Sequence, residues 1–140
     1  MNTAVIQKFK AYFTNMQVGD TSRLEEIYAD QVIFIDPIHQ IRGIENLKKY
    51  FAKLNENLLE GSFQFTDEAI SENTVYLHWE MKVKLKRPKQ TVKASGISVL
   101  MVEEKIISQR DYFDAGELFY ENIPVLGSII RFLKRKIAGA

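Results

Sequence analysis

The sequence predicts an α+β domain: three N-terminal helices packed on a curved antiparallel sheet, with an extra C-terminal helix. Three observations predict it. Apolar residues recur at helical spacing before Gly61 and again from Glu121 onward. Between those stretches the apolar period drops to two, the mark of half-buried strands. The helical part also encloses one short apolar run that fits a buried strand rather than a helix. At 140 residues the whole chain, 1–140, is expected to form one domain with a core of its own.

Ile6, Phe9, Phe13 and Met16 place a helix over residues 4–16, which Gly19 and Asp20 end. Ser22-Arg23-Leu24-Glu25 has the form of a capping box and predicts a second helix through Tyr28. Val32-Ile33-Phe34-Ile35 has no polar alternation and predicts a strand buried on both faces. Gly43 precedes a third helix with the stripe Leu47, Tyr50, Phe51, Leu54 and Leu58, ended by Gly61. SFQF at 62–65 predicts a short strand. Residues 75–86 alternate strictly, with Val75, Leu77, Trp79, Met81, Val83 and Leu85 on one face. A turn at Arg87-Pro88-Lys89 leads to a strand near 91–102, and Glu103-Glu104-Lys105 turns into another near 106–114. Pro124 suits the first turn of a final helix whose stripe is Leu126, Ile129, Ile130, Leu133 and Ile137.

Composition removes several classes of function. A formal net charge of +1 gives no global field for nucleic acid, so no nucleic-acid partner is expected. No cysteine is present, which excludes disulfides, thiolate nucleophiles and cysteine metal sites and fits a cytoplasmic location. The N-terminal MNTAVIQKFKAYF lacks the pattern of a signal peptide, and no window approaches the roughly 20 apolar residues of a membrane span. His39 and His78 have no metal-ligand spacing with the carboxylates, so no metal is expected. Gly96-Ile97-Ser98 is not a nucleophile elbow, and no glycine-rich phosphate loop occurs, so no nucleotide cofactor is expected. Six basic residues between Lys82 and Lys93 crowd one hairpin and read as a solvated, edge-blunting face. The basic, apolar-striped terminal helix reads as closing the open end of the sheet, with peripheral membrane contact the lesser reading.

Two places carry candidate chemistry. Asp36 ends the buried strand in the string VIFIDPIHQ and reads either as a turn former before Pro37 or as a base raised by burial at a cavity rim. His39, three residues on, is a second proton-transfer group, an orienting partner or a structural side chain. In Arg110-Asp111-Tyr112-Phe113-Asp114 both strand parities carry an aromatic, so alternation leaves the face open; Asp111 and Phe113 share one side.

The order of elements resembles the nuclear-transport-factor-2-like superfamily, the cone-shaped, cystatin-like α+β fold of ketosteroid isomerases, SnoaL-like polyketide cyclases and limonene epoxide hydrolases. The resemblance rests on YADQVIFIDPIHQIRG (28–43), the Gly96-Ile97-Ser98 strand and KIISQRDYFDAGELFYENIPVLG (105–127), the last being closest to bacterial SnoaL-like proteins. It implies a cavity between sheet and helices and a homodimer through the sheet face. By analogy with ketosteroid isomerases, Asp36 matches the proton-shuttling Asp, Tyr12 the oxyanion donor, and Ser98 stands where they carry a protonated Asp. By analogy with limonene epoxide hydrolases, Asp111 matches one catalytic Asp, while Met81 and Trp79 replace the other Asp and the Arg, which argues against epoxide hydrolysis. SnoaL-like cyclases need one Asp, again matched by Asp111. Phe34, Trp79, Met81, Ser98 and Phe113 are then expected to bind the ligand, and Asp36, Asp111, Tyr12 and His39 to carry catalysis. The expected activity is cofactor-free isomerisation or cyclisation of a small, mainly apolar carbonyl compound. The alternative is a non-catalytic ligand-binding or dimerisation module of the same fold.

Overall fold

The structure is a computed structural model that describes residues 3–16, 20–114 and 132–138. The elements run α1 (Thr3–Thr14), α2 (Leu24–Ile27), β1 (Tyr28–Ile35), β2 (Gln40–Arg42), α3 (Ile44–Glu56), β3 (Leu58–Ser71), β4 (Thr74–Leu85), β5 (Gln90–Val102) and β6 (Ile106–Phe113). Residues 132–138 are also helical. Among the described residues six strands form one sheet in the order β2-β1-β6-β5-β4-β3. Every pairing is antiparallel except β1 with β6, which is parallel and joins the N-terminal half to the end of the meander.

The helices pack by the stripes that predicted them. α1 buries Val5, Ile6, Phe9 and Phe13. Its rings meet β3 directly, Phe9 with Phe65 at 5.9 Å and Phe13 with Phe63 at 5.5 Å between centroids. Each such ring removed from water contributes about 2–3 kcal/mol. α3 buries Ile44, Leu47, Phe51 and Asn55, so the fourth place on an otherwise apolar face is an amide.

Four local expectations need correction. The predicted capping box does not form: α2 is one turn long and has no side-chain cap. Ser22 instead gives its hydroxyl and backbone N–H to Asp20 at 2.6 and 3.0 Å, and Glu25 pairs with Lys48. β1 is not buried on both faces; Val32 and Phe34 are buried while Ile33 and Ile35 are half-buried. Gly61 does not end α3, because the helix has already stopped at Glu56. Asn57 then clamps the turn after β4, donating to the Arg87 carbonyl at 2.8 Å and accepting the Arg87 N–H at 3.0 Å. The predicted short strand at 62–65 is the middle of a 14-residue strand in which Gly61 sits opposite Val83.

β4 shows where space remains. Its inward residues Val75, Leu77 and Trp79 are buried, whereas Met81, Val83 and Leu85 on the same face are only half-covered. The helices fill one end of the curved sheet and leave the other end as a cavity. On the outer face Lys82, Lys84 and Lys93 are exposed, with Lys84 paired to Glu60 at 3.1 Å.

Gly19, Pro124, Leu126, Ile129 and Ile130, on which the first helix break and most of the terminal stripe were placed, lie outside the described residues. Within 132–138, Leu133 and Ile137 are 49% and 77% exposed, so these two do not close the sheet. Lys134 is ion-paired with Asp114 at the end of β6. Among the described residues no helix is long and apolar enough to cross a membrane.

Candidate active site

The cavity between α1, α3 and the sheet has a volume of about 220 Å³ and a mostly apolar lining. Phe34, Trp79, Met81, Ser98 and Phe113, five of the residues expected to bind ligand, all line it. So do Asp36 and Asp111, the only charged side chains in the lining among the described residues.

Register explains how Asp111 reaches the cavity. Ser98 pairs with both Leu77 of β4 and Asp111 of β6, so these three positions share a row across the sheet. Leu77 is buried, which fixes that row to the inner face. Gln109, Asp111 and Phe113 therefore point inward, and Arg110 and Tyr112 outward, where the guanidinium lies 5.1 Å from the Tyr112 ring centroid.

Asp111 stands in a connected polar set. Ser98 Oγ donates to its Oδ1 at 2.6 Å, and Gln109 Nε2 donates to the same oxygen at 2.9 Å. Trp79 Nε1 donates to Ser98 Oγ at 2.9 Å, and the fully buried Tyr28 hydroxyl donates to Gln109 Oε1 at 2.6 Å. Among the described residues no donor reaches Oδ2. One oxygen is thus held rigidly and the other is left to the cavity. Burial pushes the Asp111 carboxyl up from 3.8 to about 6; the Ser98 and Gln109 hydrogen bonds oppose the rise and the Asp36 charge adds to it. Burial likewise pushes the Tyr28 phenol well up, aided by the Asp111 charge.

Asp36 is held differently. Its Oδ1 accepts the backbone N–H groups of Ile38 at 2.8 Å and His39 at 2.7 Å, the geometry of an Asp that builds a turn. His39 Nδ1 lies 3.2 Å from the same oxygen. Tyr50 donates to Oδ2 across 3.3 Å, a long and weak bond. The Tyr50 phenol is raised by burial first and then by the Asp36 charge, with Asp111 also felt.

Two expected catalytic residues are not brought to the cavity. The Tyr12 hydroxyl donates to the Asp20 carbonyl at 2.8 Å, and Tyr12 is not in the lining. His39 is also outside the lining, its side chain 38% exposed, with one ring nitrogen turned to Asp36 and its ring 4.8 Å from that of Tyr50. Ser98 is in place, but its only proton goes to Asp111, so it accepts from Trp79 rather than donating to a ligand.

Sequence reasoning missed Gln109, Tyr28, Tyr50 and Asn55 as polar groups of this region. Gln109 was recoverable once Asp111 was placed, being two residues earlier on the same strand. Asn55 was recoverable as the i+4 neighbour of Phe51. Tyr50 falls in the apolar stripe by its spacing, and Tyr28 gives no signal because nothing local says what its hydroxyl meets 81 residues away.

Among the described residues, His, Asp and Glu form no cluster that could hold a metal ion. In comparison with known proteins, residues 9–109 match the SnoaL-like domain family. No curated protein matches the chain. Similar solved structures include a protein of ketosteroid isomerase-like fold from Catenulispora acidiphila, solved with trimethylamine. It has a TM-score of 0.71 and 14% identity over 84% of this chain and 91% of that one. A nuclear-transport-factor-2-like protein of unknown function from Burkholderia pseudomallei gives a TM-score of 0.72 and 13% identity over 83% and 92%. An epoxide hydrolase of the limonene-hydrolase type from M. tuberculosis gives 0.68 and 14% over 83% and 80%. These likenesses establish the cone-shaped fold.

Proposed function

The chain belongs to the SnoaL-like domain family, and we propose that it binds a small, mainly apolar carbonyl compound in its cavity and moves a proton on it without a cofactor. The observation that carries this reading is Asp111, a carboxylate raised to about 6 by burial in an apolar cavity, with Oδ1 fixed and, among the described residues, no donor on Oδ2. A base of that strength is mostly ionised at neutral pH and still binds a proton well. In the proposed step Asp111 Oδ2 takes a proton from the carbon next to the ligand carbonyl. The C–H electron pair becomes the enolate double bond, and the carbonyl oxygen takes the negative charge. Tyr50 is the donor best suited to that oxyanion, since its bond to Asp36 is long and readily exchanged for a better one. Returning the proton to another carbon gives isomerisation; attack of the enolate carbon on a second carbonyl gives ring closure, the π pair of that carbonyl becoming an alkoxide that takes the proton back from Asp111.

Methyl octyl ketone in heavy water tests the step. Wild type is expected to accelerate α-hydrogen exchange, read by proton NMR, with a rate that rises through about pH 6 and then levels. Asp111→Asn should lower that rate by roughly 100-fold or more, the usual contribution of a positioned base. Binding of the ketone without exchange above the buffer rate would leave a carrier cavity and end the catalytic reading.

The outer sheet face supports a proposed homodimer. Tyr76, Ile97, Met101 and Tyr112 are 40–52% exposed there, and Ile97 pairs directly with Tyr112 and His78 across the strands. Contiguous apolar side chains of this kind mark an interface. Sedimentation is expected to give a dimer for wild type and a monomer for Ile97→Lys; a monomeric wild type would refute the proposal.

A further inference from the structure

Asn55 is 2% exposed, and among the described residues neither its Oδ1 nor its Nδ2 has a hydrogen-bond partner. It lines the cavity. On α3 it continues the face of Leu47 and Phe51, where an apolar side chain of similar volume would pack without leaving two polar atoms unsatisfied. The amide therefore costs stability and returns nothing to the fold by itself. An unsatisfied buried amide of this kind calls for a partner.

Its place in the cavity says what kind. Asn55 lies two residues before Asn57, which is bound to Arg87, so it belongs to the Leu85 end of β4. Asp111 is registered through Ser98 to Leu77, at the other end of the same strand. Along the α3 axis Asn55 is about 7.5 Å beyond Tyr50, whose hydroxyl marks the Asp36 side. Among the described residues the charged groups of the lining are two carboxylates and no cation, a setting that repels an anionic ligand.

We propose that Asn55 is a specificity-determining binding residue that recognises the far end of the ligand. This rests on the cavity reading above. The ligand is then a neutral molecule with two polar ends: a carbonyl near Asp111 and Tyr50, and a hydroxyl or carboxamide that both donates to Asn55 Oδ1 and accepts from Asn55 Nδ2. An apolar body roughly 8 Å long or more separates the ends. Met81, Val83 and Leu85 supply the apolar wall along which that body lies.

Two probes that differ only at the far end test this: methyl octyl ketone, and the same ketone carrying a hydroxyl at the end of its octyl chain. Trp79, the single tryptophan of the chain, lines the cavity and reports binding by its fluorescence. Wild type is expected to bind the hydroxyketone roughly 10-fold more tightly than the ketone, the worth of one well-made buried hydrogen bond. Asn55→Leu should lose or invert that preference while binding the plain ketone at least as well, and should melt at a higher temperature than wild type. Equal affinity of wild type for both probes, or a preference that survives in Asn55→Leu, would overturn the assignment while leaving the cavity reading intact. A lower melting temperature for Asn55→Leu would also overturn it, since the amide would then serve the fold. Failure of both probes to bind would remove the cavity reading and this one together.

Discussion

Asp111→Asn is expected to be more stable than wild type above pH 6, by about 3 kcal/mol, and equal to it only well below pH 3.8. An aspartate at about 6 in the folded protein and 3.8 when unfolded differs in free energy by that amount. The sign follows from where the protons are. Well below pH 3.8 both states hold the proton and the carboxyl contributes nothing. As pH rises from about 4 to 6 the unfolded chain releases its proton first, so the native state binds more protons than the unfolded state and stability falls. Above about 6 both states are ionised and the native state carries the full cost of a buried charge. The asparagine carbonyl can take the place of Oδ1 and accept from Ser98 and Gln109, so the substitution removes the charge without orphaning either donor. Urea denaturation of both proteins at pH 4.5, 6 and 8 measures this, with an unchanged slope as the check that the denatured state is the same. Parallel stability curves would mean that the carboxyl is not under strain, and the proton-transfer reading would lose its base.

Such a result would tie stability to function. Ser98, Gln109, Tyr28 and Trp79 form a set of hydrogen bonds whose common end is one carboxyl oxygen. A fold seeking stability alone gains more from an asparagine at position 111, which satisfies both donors without a buried charge. Retaining a raised carboxylate, with one oxygen fixed and the other open to a cavity, is the arrangement acid–base work requires. Asn55 repeats the pattern with a neutral group at the opposite end.

The parts legible in the sequence were those governed by period. The alternation from Val75 to Leu85 gave β4 and its inner face correctly, and the stripe Ile6, Phe9 and Phe13 gave α1. Local chemistry misled wherever a side chain found a different partner, near in sequence or far. Ser22 turned to Asp20 rather than capping a helix, and Asn57 rather than Gly61 stopped α3 because Arg87 was there to bind it. The parallel pairing of β1 with β6 left no local trace, since it joins residues such as Phe34 and Gln109 that are far apart in sequence. Lining residues are more legible in a sequence than hydrogen-bond donors. A side chain's face follows from strand register, whereas the direction of a hydroxyl, as at Tyr12, depends on one carbonyl that no pattern announces.

Gly96→Ala is expected to cost about 3 kcal/mol and to disturb the site as well as the fold. Gly96 pairs with Trp79 on one side and Phe113 on the other. A Cβ at this position would come within 2.5 Å of the Tyr112 carbonyl oxygen and within 2.6 and 2.7 Å of two Trp79 ring carbons. The carbonyl is backbone and cannot swing aside. The indole is held by its bond to Ser98 and by contact with Phe63 at 5.0 Å between centroids. Relief therefore requires β5 and β6 to separate or Trp79 to leave its place. Moving Trp79 takes the donor from Ser98 and pushes the ring toward the cavity it lines. The expected result is a lower urea midpoint together with altered tryptophan fluorescence and weaker ketone binding. An alanine variant with wild-type stability and an unchanged emission spectrum would show that the Trp79 ring is not held against Gly96, and with it would go the fixed wall on which the cavity's shape depends.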